Sequence, residues 1–240
     1  MEINDKENIK LNSINEISKS ICKIIIEDCN STGFFLKIQY KLKPLYMLIT
    51  AHHVIPYPLV EENKTIEIIT DIDNKKQEIT LDSIKRKIFC NKNKDITAIQ
   101  ILNKDNLIDK VKFLVYDTKC EYSQYENYLN IEAFIFHHPN DQELKYNSGR
   151  IIKINYPEDN EFEHNLNTNA GSSGSPLLIF EKTDEEPKVI GVHTSAIEGK
   201  KNKIGTFINA IIEVILNNNY YRNYRFFGIT KNSKLCFKPI

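Results

Sequence analysis

A serine in a short glycine-rich turn is the first candidate for chemistry. The turn runs Ala170-Gly171-Ser172-Ser173-Gly174-Ser175-Pro176 and leads into an apolar segment. Its two glycines can adopt positive φ and let another backbone approach closely, and its proline directs the chain into an extended strand. Such a turn can present one hydroxyl as a nucleophile and can direct backbone N–H groups at one point, as in an oxyanion hole. A structural hairpin loop has the same composition.

Two further residues could supply the base and the acid that a serine nucleophile needs. His53 follows an apolar strand, and Asp95 directly precedes the apolar run 96–102. Imidazole accepts a proton near neutral pH, and a carboxylate on its far nitrogen fixes the tautomer and stabilises the imidazolium. Taken singly, each residue is more often structural, but the order His, Asp, Ser favours a reaction centre.

The elements that must position these residues are predicted to be short strands separated by turns. Asn209 is predicted to cap a helix that runs through Leu216. The predicted fold class is therefore all-β, with a barrel architecture and one helix near the end. The predicted strands are Cys22–Glu27, Thr32–Tyr40, Leu45–Thr50, Thr65–Thr70, Gln77–Ile84, Ile88–Cys90, Asp95–Leu102, Ile131–Phe136, Leu144–Tyr146 and Gly149–Tyr156 as a hairpin, Phe162–Leu166, Leu177–Phe180, Val189–Thr194 and Gly205–Ile208.

The composition is that of an ordinary globular protein. Of 240 residues, 41% are hydrophobic and 27% charged, and the formal net charge is zero, which gives no global basic field for nucleic acid. No apolar run reaches the roughly 20 residues of a membrane span, and residues 1–20 do not resemble a signal peptide, so we expect a cytoplasmic protein with no membrane partner. Five scattered cysteines without a CxxC pair predict reduced thiols, with no metal and no cofactor.

Three segments together resemble the motif blocks of trypsin-like, chymotrypsin-fold serine peptidases. They are Thr50-Ala51-His52-His53-Val54, Asp95-Ile96-Thr97-Ala98-Ile99 and Gly171-Ser172-Ser173-Gly174-Ser175-Pro176. The resemblance covers about residues 20–217. It implies two six-stranded antiparallel β-barrels with the active site between them. The domains expected from it are an N-terminal arm (1–20), a first barrel (21–110), a linker (111–128), a second barrel with the C-terminal helix (129–217) and a tail (218–240).

The resemblance also assigns roles and a register. It implies His53 as general base rather than His52, Asp95 as its orienting acid, and Ser173 as nucleophile rather than Ser172 or Ser175. The N–H groups of Gly171 and Ser173 would form the oxyanion hole.

Two departures from the digestive members of the family bear on activation and on the compartment. Those enzymes have aspartate where Ser172 stands, and an Ile-Val-Gly-Gly-like start that pairs with it after cleavage, so zymogen activation is not supported here. Val54 replaces a cysteine that they use in a disulfide, which agrees with a reducing compartment.

Within the family, the bacterial glutamyl endopeptidases are the most similar group by motif. Gly191-Val192-His193 and Gly205-Thr206-Phe207-Ile208-Asn209 resemble their C-terminal blocks. By that resemblance Thr168 and His193 would line the specificity pocket, and a hydroxyl with an imidazole suits a Glu or Gln side chain at P1. Asn167 lies where trypsins have their pocket aspartate, which argues against a basic P1 residue. A purely structural role for His193 is an equal alternative.

The expected function is thus an intracellular serine endopeptidase acting on a protein or peptide. The alternative is a binding module on a protease-like fold. His137-His138-Pro139 is interpreted as a structural corner rather than a metal site, and His164 as a pocket rim or exposed residue. The tail 218–240 combines basic and aromatic residues, a weak indication of single-stranded nucleic acid, for which an extra β-segment packed on the barrel is the commoner explanation.

Overall fold

A computed structural model describes residues 14–27, 29–122, 124–155, 160–180, 186–197, 199, 201–217, 224–226 and 237–239. The first group of strands is β1 (Ile21–Ile26), β2 (Cys29–Tyr40), β3 (Lys43–Ala51), β4 (Thr65–Thr70), β5 (Lys76–Thr80), β6 (Ile88–Asn91) and β7 (Ile96–Gln100). The second group is β8 (Val115–Tyr116), β9 (Glu132–His137), β10 (Lys145–Asn155), β11 (Glu161–His164), β12 (Pro176–Ile179), β13 (Lys188–Ala196), β14 (Lys203–Phe207), β15 (Tyr224–Phe226) and β16 (Phe237–Pro239).

Helical structure among the described residues is limited to short segments. Residues 14–18 form one helical turn. Two further segments are the α-helices α1 (Tyr57–Glu61) and α2 (Asn209–Asn217). The 3₁₀ turns are Asn103–Asp105, Thr118–Tyr122, Tyr125–Tyr128 and Pro139–Asp141. No helix in the described part of the chain is both long enough and apolar enough to cross a bilayer.

The strands form two large antiparallel sheets, which confirms the predicted all-β, double-barrel fold. The first has the order β5-β4-β1-β2-β3-β7-β6. In the second, β9-β10-β11-β14-β13-β12 closes on itself because β12 pairs with both β9 and β13. Each sheet has seven strands rather than the six that the resemblance implies. In the second sheet the additional strand is β8, which pairs in parallel with β13.

The strands at the centre of the first sheet are buried on both faces. On β2, Phe35 packs inside the first barrel, whereas Phe34 and Leu36 belong to the core that also contains the second barrel. On β3, Leu48 likewise packs inside the first barrel, whereas Met47 belongs to the core that also contains the second barrel. Side chains alternate between the faces of a strand, so a strand buried on both faces needs a nearly continuous apolar sequence. This explains the apolar run in β2.

Some predicted elements differ in the structure. The hairpin predicted from 144–146 and 149–156 is the single strand β10. Gly149 makes no turn there; it pairs with Ala133 and allows close approach, because a Cβ on it would lie 2.6 Å from Asn165 Oδ1. The strand predicted over 77–84 ends at Thr80, since Asp82 turns the chain by accepting bonds from the next N–H groups, of Ile84 and Lys85.

The predictions for the two ends of the chain are only partly within the described residues. Ile17, within the expected N-terminal arm (1–20), is 2% exposed and packs in the core. Asn209 is the first residue of α2 and is buried, with its side chain donating to Glu213 Oε1. In the tail, β15 and β16 form a two-stranded antiparallel sheet. The other basic and aromatic residues on which the nucleic-acid hypothesis depended lie outside the described residues: Tyr220, Tyr221, Arg222, Phe227, Lys231 and Lys234.

Candidate active site

The sheet register brings His53 and Asp95 together. Ala51, at the end of β3, pairs with Ile96, at the start of β7, so His53 two residues later and Asp95 one residue earlier lie at the same edge. His53 Nδ1 is 2.7 Å from Asp95 Oδ2, and the His53 backbone N–H donates to Asp95 Oδ1 at 2.8 Å. Asp95 has a φ of 49°, a left-handed conformation that Asp tolerates better than most residues. One carboxylate therefore orients both the ring and the backbone of His53.

The neighbouring His52 has a different environment. It is 7% exposed, and its Nδ1 lies 3.1 Å from Thr97 Oγ1. Thr97 Oγ1 donates its own proton to Ile55 O, so it accepts from the His52 ring. Burial lowers the pKa of His52. The buried ring of His52 is thus held inside the barrel, whereas half of the His53 side chain is exposed.

The serine turn exposes only one of its three hydroxyl-bearing residues. Ser172 and Ser175 are fully buried, and Ser173 between them is partly exposed. Ser175 Oγ donates to Ser172 O, and Ser172 Oγ accepts from the Asn169 N–H. Gly171 and Gly174 have φ of 87° and 86°, conformations that favour glycine. Of the three serines, Ser173 is the one that a substrate can reach.

Some backbone N–H groups in the turn have a hydrogen-bond acceptor in the described part of the chain and others do not. The N–H of Ser172 donates to Asn169 O, that of Gly174 to His193 O, and that of Ser175 to Ser172 O. Within the described residues, no hydrogen-bond acceptor is found for the N–H groups of Gly171 and Ser173. Two open donors beside an accessible hydroxyl are the arrangement that stabilises an oxyanion.

Thr32, on β2, holds this turn against the first barrel, and no motif in the sequence indicates this role. Its N–H donates to Ser173 O, its Oγ1 donates to Gly171 O and accepts from the His138 N–H, and its carbonyl accepts from Thr50 Oγ1. The residue is fully buried. Its three bonds to the second half of the chain join the two barrels at the crevice.

Replacing Thr32 by Val keeps the side-chain shape and removes both bonds of Oγ1. Because the Gly171 carbonyl and the His138 N–H would lose a buried partner, we expect unfolding free energy to fall by about 2 kcal/mol. Urea unfolding measures this. Thr65→Val is a matched control, because among the described residues the exposed Thr65 hydroxyl bonds only Thr80 Oγ1. An equal loss of stability for both variants would contradict the role of Thr32.

The structure does not bring all three candidate catalytic residues into contact. Among the described residues, no hydrogen bond joins the Ser173 hydroxyl to His53. The turn nevertheless packs against the end of β3, two residues before His53, because a Cβ on Gly174 would overlap Thr50 Oγ1 and lie 3.0 Å from Ala51 N. Hydrogen bonds between catalytic groups are often long in the absence of substrate.

The candidate pocket residues differ in exposure. Thr168 is 9% exposed and His193, on β13, is 4% exposed, whereas Asn167 is exposed. His193 Nδ1 lies 3.2 Å from His164 Nε2. His164 is fully buried rather than exposed. No hydrogen bond between Thr168 and His193 is found in the described part of the chain.

Buried histidines make the fold sensitive to acid. Five of the six histidines are buried (His52, His137, His138, His164 and His193). Burial lowers the pKa of each, and to about 4 for His137, His138 and His193.

Among the described residues, no group of three His, Cys, Asp or Glu could hold a metal ion.

We expect stability to be greatest above pH 6.5 and to fall progressively towards pH 4. In that window the unfolded chain binds protons that the folded chain excludes, at a cost of about 3 kcal/mol for each histidine whose pKa is shifted that far. Urea midpoints at pH 7, 6 and 5 should decrease in that order. A midpoint that stays constant or rises would contradict neutral buried rings.

The sequence matches no protein-family model and no curated protein, but solved structures share the fold. The inactive form of the Rv3671c protease is 14% identical with a TM-score of 0.59, covering 85% of this chain and 91% of that one. A serine endoprotease from Yersinia pestis is 12% identical with a TM-score of 0.61, covering 91% and 70%. Deg5 is 17% identical with a TM-score of 0.58, covering 87% and 92%. The chain therefore has the double-barrel fold of trypsin-like serine proteases.

Proposed function

We propose that this chain is a serine endopeptidase in which His53 is the general base, Asp95 its orienting acid and Ser173 the nucleophile. The observation that carries the proposal is the His53–Asp95 pair, 2.7 Å apart, beside a turn in which Ser173 alone of three serines is accessible. The shared fold supports it, because the similar structures are proteases by their descriptions.

The mechanism follows from which atoms can give and take protons. Asp95 Oδ2 accepts from Nδ1–H of neutral His53, which leaves Nε2 free to take the Ser173 proton as Oγ attacks the peptide carbonyl. The carbonyl oxygen becomes negative and accepts from the N–H groups of Gly171 and Ser173. His53 then gives its proton to the leaving amine, and a water repeats the cycle on the acyl-enzyme to release the acid and free Ser173.

The proposed P1 preference is for Glu or Gln. Asn167, Thr168 and His193 carry no carboxylate that could bind a basic side chain, and with its lowered pKa the His193 ring is neutral at pH 7. A neutral imidazole and a hydroxyl can donate to the oxygen of a carboxamide or carboxylate. The P1 side chain would thus be bound by hydrogen bonds rather than by an ion pair.

The natural substrate would be a protein or peptide in a reducing compartment. Among the described residues, Cys22, Cys29, Cys90 and Cys120 form no disulfide, and disulfides are rare in cytosolic proteins.

A fluorophosphonate probe and a peptide library test the proposal together. We expect the wild type to be labelled and to cleave library peptides after Glu or Gln in preference to Lys. Ser173→Ala should remain folded without being labelled, while Ser83→Ala, an exposed serine on the first barrel, should behave as wild type. Labelling of Ser173→Ala would refute the assignment of the nucleophile.

A binding module on the same fold is the second candidate. The missing hydrogen bond between Ser173 and His53 favours it. A folded wild-type protein that binds peptides but is neither labelled nor able to cleave them would support this alternative and contradict the peptidase.

A further inference from the structure

A buried histidine holds the residue that precedes Ser173. His137, the last residue of β9, is 1% exposed, and its Nδ1 lies 2.6 Å from Ser172 Oγ. The same Ser172 oxygen accepts from the Asn169 N–H at 3.1 Å. The ring therefore contacts the turn between the two residues whose N–H groups are open, Gly171 and Ser173.

The tautomer of His137 follows from its other partner. Asn147 Nδ2 lies 3.2 Å from Asn167 O and 2.8 Å from His137 Nε2. A carbonyl oxygen can only accept, so the atom facing it is the amide nitrogen, and its second proton goes to His137 Nε2. Nε2 is then an acceptor, and Nδ1 carries the proton of the neutral ring and donates it to Ser172 Oγ.

The surroundings keep the ring neutral. Burial lowers the pKa of His137 to about 4, and Lys145, which is paired with it in the sheet, contributes in the same direction. The other titratable neighbours are His138 and His193, both buried with lowered pKa. Ser172 carries no charge, so the connection between β9 and the turn contains no ion pair.

We propose that His137 is a positioning residue that acts through Ser172 to hold the N–H groups of Gly171 and Ser173 at the oxyanion site, an inference that rests on the proposed function. The connected groups run from Asn167 O through Asn147 and His137 to Ser172 and tie both ends of the 167–172 segment to β9 and β10. Because His137 donates to Ser172 Oγ, the turn needs no charged partner to keep its shape. Loss of the bond should weaken binding of the transition state more than binding of the substrate.

Three variants of the full chain separate positioning from general stability. His137→Leu removes both ring bonds, and His137→Asn retains a side-chain N–H close to the position of Nδ1. Phe136→Leu is the matched control: it alters the adjacent β9 residue, which stacks on Tyr146 and whose side chain lies on the opposite face of the strand.

We expect His137→Leu to lower kcat by about 10²-fold, as for loss of one oxyanion donor, with KM changed by less than about 3-fold. His137→Asn should recover most of kcat, and Phe136→Leu should keep it while losing thermal stability. Amide hydrogen exchange in a peptide covering 169–176 should be faster in His137→Leu only.

Unchanged exchange in His137→Leu, or equal losses of kcat in His137→Leu and Phe136→Leu, would overturn the inference. The exchange measurement does not depend on activity. If the wild type neither cleaves nor reacts with the fluorophosphonate, the proposed function fails, while faster exchange in His137→Leu alone still supports the positioning role and normal exchange still refutes it.

Discussion

Asp95→Asn is expected to lower kcat by about 10⁴-fold while leaving the fold intact. The His53 backbone N–H donates to Asp95 Oδ1, so an asparagine must keep its oxygen at that position. Its NH₂ group then faces His53 Nδ1 in place of Oδ2. The ring is forced to accept at Nδ1 and to carry its proton on Nε2, where it can no longer take a proton from Ser173.

Steady-state hydrolysis of a peptide that the wild type cleaves measures this effect. Asp73→Asn is the matched control, because Asp73 is an exposed turn residue whose carboxylate likewise accepts a backbone N–H, that of Lys75. It should leave kcat within about 2-fold, as surface substitutions remote from a site usually do. If Asp95→Asn retains more than a tenth of wild-type kcat, Asp95 does not orient the base.

Gly174→Ala is expected to abolish measurable activity and to destabilise the chain by several kcal/mol. A Cβ at this position would overlap Thr50 Oγ1 and Thr32 O, which belong to buried, fixed groups. A φ of 86° adds about 1–2 kcal/mol of backbone strain for any residue with a Cβ. The turn can only respond by moving away from β3, and this displaces Ser173 and both open N–H groups.

Gly199→Ala provides the control, since Gly199 has a φ of 70° but nothing within 4 Å of its Cβ position. It should show only the backbone cost, about 1 kcal/mol, with normal kcat. Thermal unfolding and hydrolysis rates compare the two variants. Equal destabilisation by both would mean that Gly174 is required for its conformation alone and not for the close packing of the turn.

The features that could be predicted from the sequence are those that depend on the local pattern of residues. Apolar β-branched runs predicted most strands, among them β2 and β3, which pair with each other in the structure. The proximity of His53 and Asp95 could also be predicted from the sequence, because each residue flanks a strand and the two strands pair. The short helix α1 was missed, since five residues with a proline give too short a periodic signal.

The bonds that hold the serine turn could not be predicted. Thr32 reaches a carbonyl 139 positions away, and His137 reaches a hydroxyl 35 positions away. Neither residue has a local pattern that distinguishes it from an ordinary strand residue, because its partner is set by how the two barrels pack. His137 was interpreted as part of a structural corner, which named its location but not its contact with Ser172.

The central strands of the first sheet have a consequence for how the protein unfolds. Because β2 and β3 are apolar on the side that faces the second barrel, separating the barrels would expose that surface to water. Neither half is then expected to persist alone, and a single cooperative melting transition should accompany loss of the catalytic crevice. Severing the chain between residues 103 and 114 should yield fragments that regain structure only when mixed.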